Sequence, residues 1–268
     1  MAGGQLDLFG GGGLEPDPDD TPRTEPPAVR PESLDDATLI AAVADAVGAR
    51  ASALAAEASR RRLQLAVPAL ESLCRRFKGF GLVDPAPEQV AALRGLAAIG
   101  GAAAADAVAR IGADGVVQAP GVASVFAAAA SLGSRLPPGQ VVEGLRHADP
   151  VVRADACRCA RPSATVSAVL IDLLADLHDP VALAAACALA RMGHAEARPM
   201  LIRHLLREPT EAVIAAIAEI ADEDTPVLLA RIAAARPDLR DAVLEALEEI
   251  DTPRAALVAD GLRRRLGD

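Results

Sequence analysis

Asp149-Pro150-Val151-Val152-Arg153-Ala154-Asp155-Ala156 is the stretch that decides the fold. Its Asp-Pro step returns at Asp179-Pro180, and prolines stand at the same 30-residue spacing at Ala119-Pro120 and Pro209. Proline fits the first turn of a helix because its missing N–H would have no intrahelical partner there. Each of these prolines is therefore read as a helix start. The apolar positions keep the same step. Cys157, Cys187, Ile217 and Leu247 share one register, Ala160, Ala190, Ile220 and Ile250 a second, and Leu183, Val213 and Val243 a third. The spacing predicts helices over 180–191 and 195–207 with Gly193 as the break, then 210–221 with 224–235, and 238–249 with 252–266. One such pair cannot bury its apolar stripe alone, so neighbouring pairs must stack.

Composition agrees with helices and argues against sheets. Hydrophobic residues make up 51% of the 268, much of that alanine, while Trp and Tyr are absent and only four Phe occur. Alanine favours helix, whereas sheets prefer β-branched and aromatic residues. The expected fold is all-α: an α-solenoid of stacked antiparallel helix pairs behind a disordered N-terminal tail. Three regions are expected: a tail over 1–33 carrying a docking peptide, an N-terminal helical cap over 34–84, and the repeat solenoid over 85–268. In the cap, a helix starts near Ser33 with Asp35 and Asp36 in or near its first turn, a second runs from about Ala51 to Leu65, and a third follows Pro68. Gly79, Gly81 and Pro85 end the third.

Residues 87–268, at least two-thirds of the chain, resemble short HEAT repeats of the roughly 30-residue bacterial kind, also called lyase-type HEAT-like repeats. The resemblance rests on Asp149 to Ala156, where an Asp-Pro opens the first helix and apolar and alanine positions follow. It implies a scaffold, because such repeats serve binding and assembly and, in some relatives, nucleic-acid repair or chromophore attachment.

The tail carries the sharpest functional signal. Gln5-Leu6-Asp7-Leu8-Phe9 lies between Gly3-Gly4 and the run Gly10 to Gly13, followed by prolines and acids. Residues 1–36 hold nine acids and two bases, a net of −7 out of the chain's −10. Few residues there can repay the entropy of ordering, so the acidity belongs to a solvated tail. The pentapeptide closely resembles the motif by which bacterial polymerases, mismatch-repair factors and replication regulators bind the sliding clamp of the replicative polymerase. The resemblance implies that Gln5 enters a small polar subsite and Leu8-Phe9 fill a hydrophobic pocket. Leu6 is a further anchor, and Asp7 falls where that motif commonly has Ser or Asp. Two other readings stay open: Leu6, Leu8 and Phe9 pack onto the body, or they serve another partner.

The densest basic stretch is Arg60-Arg61-Arg62 with Arg75, Arg76 and Lys78. Helical spacing can place several of them on one solvent face, where they would meet DNA phosphates, the acidic tail or only water. Arg263-Arg264-Arg265 offset a helix dipole near the C-terminus. Related helical repeats form alkylpurine DNA glycosylases, which use aromatics and a carboxylate around a lesion; here Phe126 is the lone candidate ring, and no carboxylate can be paired with it from spacing.

Little else points to chemistry. Cys157 and Cys159 diverge by about 200° on a helix and do not readily close around one ion. Cys157 and Cys187 alternate with Ile217 and Leu247, which marks them as small core residues, while Cys159 is expected to be more exposed. His147 and His178 flank successive Asp-Pro turns in structural roles, with His194 and His204 scattered elsewhere. Neither catalytic residues, nor a metal, nor a cofactor is expected. Cysteine usage, the absence of a basic flank with an apolar h-region, and the shortness of the alanine-rich runs together predict a cytoplasmic chain without membrane contact. The expected role is a noncatalytic adaptor that binds the clamp through its tail and a second protein on the solenoid. A general interaction scaffold is the alternative, and a DNA-binding repair protein a more distant one.

Overall fold

A computed structural model describes residues 30–77 and 83–264. These residues form fifteen α-helices and no strand. The first six are α1 (Asp36–Asp45), α2 (Gly48–Arg60), α3 (Val67–Arg76), α4 (Pro87–Ile99), α5 (Gly101–Ala113) and α6 (Val122–Leu132). Then come α7 (Pro138–Leu145), α8 (Pro150–Cys159), α9 (Ala164–Leu173), α10 (Asp179–Ala190) and α11 (Arg198–Arg207). The chain continues through α12 (Glu211–Glu219), α13 (Thr225–Ala235), α14 (Arg240–Glu249) and α15 (Pro253–Arg264). No helix among them is long and apolar enough to cross a membrane.

Local chemistry sets most of the helix starts. Asp149 caps α8, its carboxylate accepting from the Val151 N–H at 2.8 Å, with Pro150 in the first turn. Asp35 caps α1 in the same way, accepting from the Thr38 N–H at 2.9 Å. Such a cap satisfies a backbone donor that the helix cannot. Gly193, at φ 77°, turns the chain after α10 where a side chain would be strained.

Several expected boundaries shift. Ser33 closes a short 3-10 turn, Pro31–Ser33, and α1 begins only after the Asp35 cap. The second helix runs three residues earlier at its start than expected and ends at Arg60, because Arg62 takes φ 52° and reverses the chain. Pro120 lies in the turn before α6 and does not open a helix, and Thr210, not Pro209, supplies the cap of α12. At α12 the proline keeps its 30-residue spacing while the next residue, Thr210, satisfies the first turn. Gly79 and Gly81 lie outside the described residues.

The helices stack in two rows. Each even-numbered helix from α2 to α14 packs on the next even-numbered one, so α2, α4, α6, α8, α10, α12 and α14 form an unbroken row. On the other side α1 packs on α3, α3 on α5, α7 on α9, and α13 on α15. Sequence neighbours join the rows, although α13 packs more extensively on α14 than on its expected partner α12. The arrangement is solenoid-like, with one connected hydrophobic cluster from Leu39 to Leu262 between the rows. The helices over 34–84 share it: α2 and α3 both pack on α4.

Alanine explains how the row closes up. In α10, which touches α8, α9, α11 and α12, Val181, Ala182, Ala185, Ala186, Ala188, Leu189 and Ala190 are all buried. A helix contacted on so many sides must be apolar around most of its circumference, and small side chains let neighbouring axes approach. Gly144 in α7 does the same for Phe126: a β-carbon there would overlap the phenylalanine ring. Gly144→Ala is therefore expected to cost about 1–3 kcal/mol by overpacking. Gly139→Ala, in the same helix with open space around it, should be neutral or stabilising by up to about 1 kcal/mol. Urea unfolding of the two variants measures both.

Candidate interaction surfaces

Residues Gln5 to Phe9 and Lys78 lie outside the described residues. The first described residues are fastened to α2. Arg61, at the C-terminal end of α2, donates to the carbonyls of Leu34 at 2.8 Å, Glu32 at 3.2 Å and Pro31 at 3.4 Å, and to the Asp36 carboxylate at 2.8 Å. Glu57 stands one turn back and accepts from Arg60 at 2.8 and 2.6 Å and from Arg61 at 2.6 Å. These hydrogen bonds, Arg60 first, hold the Glu57 carboxyl down at about 2 against the opposing effect of burial. The 3-10 turn that begins the described chain is thereby fastened to α2. The i,i+4 spacing of Glu57 and Arg61 was a readable signal that sequence reasoning missed.

Arg75 and Arg76 are similarly engaged. Arg75 bonds Glu71 at 2.9 Å and Asp114 at 2.8 Å, and Arg110 reaches the second Glu71 oxygen at 2.6 Å. This network joins α3 to the C-terminal end of α5. Arg76 donates to the Ala44 carbonyl at 2.7 Å and also to that of Ala46, with its guanidinium 5.0 Å from the Phe77 ring centre. It closes the end of α1, whose last carbonyls would otherwise have no partner. Arg62 is exposed and has no partner among the described residues. Arg263, in the smaller run, pairs with Glu248 and Asp260.

The even-numbered row presents two grooves of opposite character. Between α2 and α4 lies a cavity of about 760 Å³ lined by Ala56, Ala91, Ala98, Val90, Pro85 and Pro87, with Ser52, Ser59 and Gly95 between them and Arg94 at the edge. Between α12 and α14 lies a smaller one of about 290 Å³, where Glu211, Asp241, Glu245 and Glu249 surround Ala215, Ala242 and Ala246. One end of the row is thus apolar with a cation, and the other acidic.

Elsewhere, polar groups join neighbouring units. Arg153 of α8 makes a two-point pair with Asp176, at 2.8 and 3.0 Å, and donates to the carbonyls of His147 and Ala148. His178 donates its backbone N–H to the same carboxylate at 2.9 Å. Hydrogen bonding from Arg153 outweighs burial and lowers the Asp176 carboxyl below the usual range. His147 accepts from the Asp149 N–H at 3.0 Å, so both histidines brace the Asp-Pro turns.

The cysteines correct one expectation. Cys159 is 2% exposed and Cys187 is the half-buried one. Packing of α8 against α6, α7 and α10 buries opposite flanks of the helix, so residues at i and i+2 are both enclosed. The Cys159 thiol lies 3.8 Å from the Phe126 carbonyl. Burial pushes Cys74, Cys157 and Cys159 up to about 12, where the thiol is protonated and a poor nucleophile or ligand. Phe126, at 1% exposure, packs in the core and also lines a cavity of about 380 Å³ with Val122, Gln140 and Glu143. Among the described residues no three His, Cys, Asp or Glu side chains come together as a metal-binding group.

Comparison with family models and with curated proteins finds no match to this chain. The described residues present an apolar groove, an acidic groove and a first segment fastened to α2. Depressed carboxyls stabilise the fold above their ordinary values and lose that contribution as they protonate. For Glu57 the window runs from about 4.5 down to about 2. Stability should fall as pH drops through it, and Glu57→Gln should flatten that fall while weakening the protein near neutrality. Thermal unfolding of both chains between pH 7 and pH 2 checks the sign.

Proposed function

We propose that this chain is a noncatalytic adaptor built on short HEAT-like repeats, tethered by Gln5-Leu6-Asp7-Leu8-Phe9 to the sliding clamp of a bacterial DNA polymerase. It would act in replication or repair in the cytoplasm and present its helical body to a second protein. The observation that carries this reading is the pentapeptide itself. Its polar first residue and apolar Leu8-Phe9 pair stand in a glycine-flanked segment whose neighbours give core packing little use for a phenylalanine. The fastening of Pro31–Ser33 to α2 supports it further, because a tethered peptide needs a firm base.

The second reading is a general interaction scaffold that uses the two grooves without any clamp. The opposite characters of the α2/α4 and α12/α14 grooves favour it, since they suit different partner segments. Direct DNA contact through the basic stretch has less support. Arg60, Arg61, Arg75 and Arg76 already donate to carboxylates and carbonyls of the chain, and phosphates would have to compete with those acceptors.

Binding of the full chain to purified clamp, followed by calorimetry or surface-bound kinetics, tests the proposal. Leu8→Ala with Phe9→Ala should weaken it by at least about tenfold, because buried apolar anchors dominate such small interfaces. Absence of binding, or binding indifferent to both substitutions, favours the scaffold reading. Binding of duplex DNA that weakens steeply with salt and is lost on neutralising Arg60, Arg61 and Arg62 would instead favour the DNA-binding one.

A further inference from the structure

The α2/α4 groove is the larger of the two in the even-numbered row, and its lining is mainly apolar. Ala56 and Ala98 are exposed there, and Val90 and Ala91 are half-buried. Arg94 at its edge is exposed and pairs with no described residue. Shape, apolarity and one cation at the rim suit a short apolar segment carrying an acidic residue.

We propose that this groove receives the chain's own Leu6-Asp7-Leu8-Phe9 segment, so that the docking peptide is sheltered against the body until another surface competes for it. Where the tail begins makes the contact accessible. Arg61 holds the carbonyls of Pro31, Glu32 and Leu34 against α2, the same helix that supplies Ser52, Ala56 and Ser59 to the groove. Arg61 follows Ser59 by two residues, about half a turn around the helix, so the chain must pass one helix diameter, roughly 10 Å. About 20 residues separate Phe9 from Arg30, and a chain of that length has an r.m.s. span of about 25 Å. Such a tether sets an effective concentration on the order of millimolar, so modest affinity is enough to keep the groove occupied.

Chemistry matches on both sides. Leu6, Leu8 and Phe9 bring apolar surface to alanine, valine and proline walls, and Asp7 between them brings a carboxylate for Arg94. The acidic tail is repelled by the α12/α14 groove with its four carboxylates. If the peptide also binds a clamp, as proposed above, the groove and the clamp compete for the same side chains. That consequence rests on the clamp reading; the docking itself does not.

Disulfide trapping in the full chain tests the contact. Gly10→Cys places a thiol beside Phe9, Ala98→Cys places one in the groove, and Ala37→Cys places one on exposed α1 close to the base of the tail. Cys74, Cys157 and Cys159 are buried, and the half-buried Cys187 is replaced by alanine in every chain tested. In oxidised glutathione the disulfide between positions 10 and 98 should close at least about tenfold faster than the one between positions 10 and 37, although position 37 lies nearer the tether point. Leu8→Ala with Phe9→Ala, or Arg94→Glu, should slow only the pairing to position 98. Equal rates at the two positions, or rates indifferent to the tail substitutions, overturn the proposal. Hydrogen exchange tests the same contact without engineered thiols: α4 amides should exchange faster in the Leu8→Ala, Phe9→Ala chain than in the native one, and unchanged exchange counts against docking. Neither measurement contains a clamp, so failure here leaves clamp binding standing, and failure to bind clamp leaves this contact standing.

Discussion

Close approach of helices two apart in sequence is the constraint on which the rest depends. Each inner helix of the even-numbered row packs on the even-numbered helices on both sides as well as on at least one sequence neighbour. Only small side chains on several flanks permit that, which is why α10 is built from Ala182, Ala185, Ala186, Ala188 and Ala190 around Val181 and Leu189. Larger residues enter where a neighbour withdraws. Phe126 fits because Gly144 has no β-carbon, and the register that holds cysteine at 157 holds Ile217 and Leu247 in the later units.

Helices packed this way leave few ways to satisfy their ends, and the arginines follow from that. Arg76 takes the last carbonyls of α1, Arg153 those of His147 and Ala148, and Arg61 those of the segment before α1. Each also meets a carboxylate: Asp45, Asp176 and Asp36 with Glu57. These pairs are partly enclosed, so their worth lies less in net stability than in fixing which loop meets which helix. Charge that looks like a surface patch in one dimension is, in three, largely a set of fastenings.

With Arg60, Arg61, Arg75 and Arg76 engaged within the chain, the row leaves open an apolar groove at one end and an acidic one at the other. Arg61 fastens the segment Glu32 to Leu34 to α2, the helix that also supplies Ser52, Ala56 and Ser59 to the larger groove.

The sequence by itself determined the helical class, the 30-residue step and most element positions from Gly193 onward. Proline starts, glycine stops and apolar registers are local signals, legible because each acts within a turn or two. It also displayed the pentapeptide, whose residues lie outside the described structure. What only the tertiary structure decided is who meets whom. Cys159 is enclosed because α8 is contacted on opposite flanks, and α13 leans on α14 more than on α12. Arg75 and Arg110 share Glu71 across two helices, and the α2/α4 groove exists because helices separated by α3 lie side by side. None of these follows from spacing along a chain, since burial and pairing depend on distances between residues that the sequence keeps tens of positions apart.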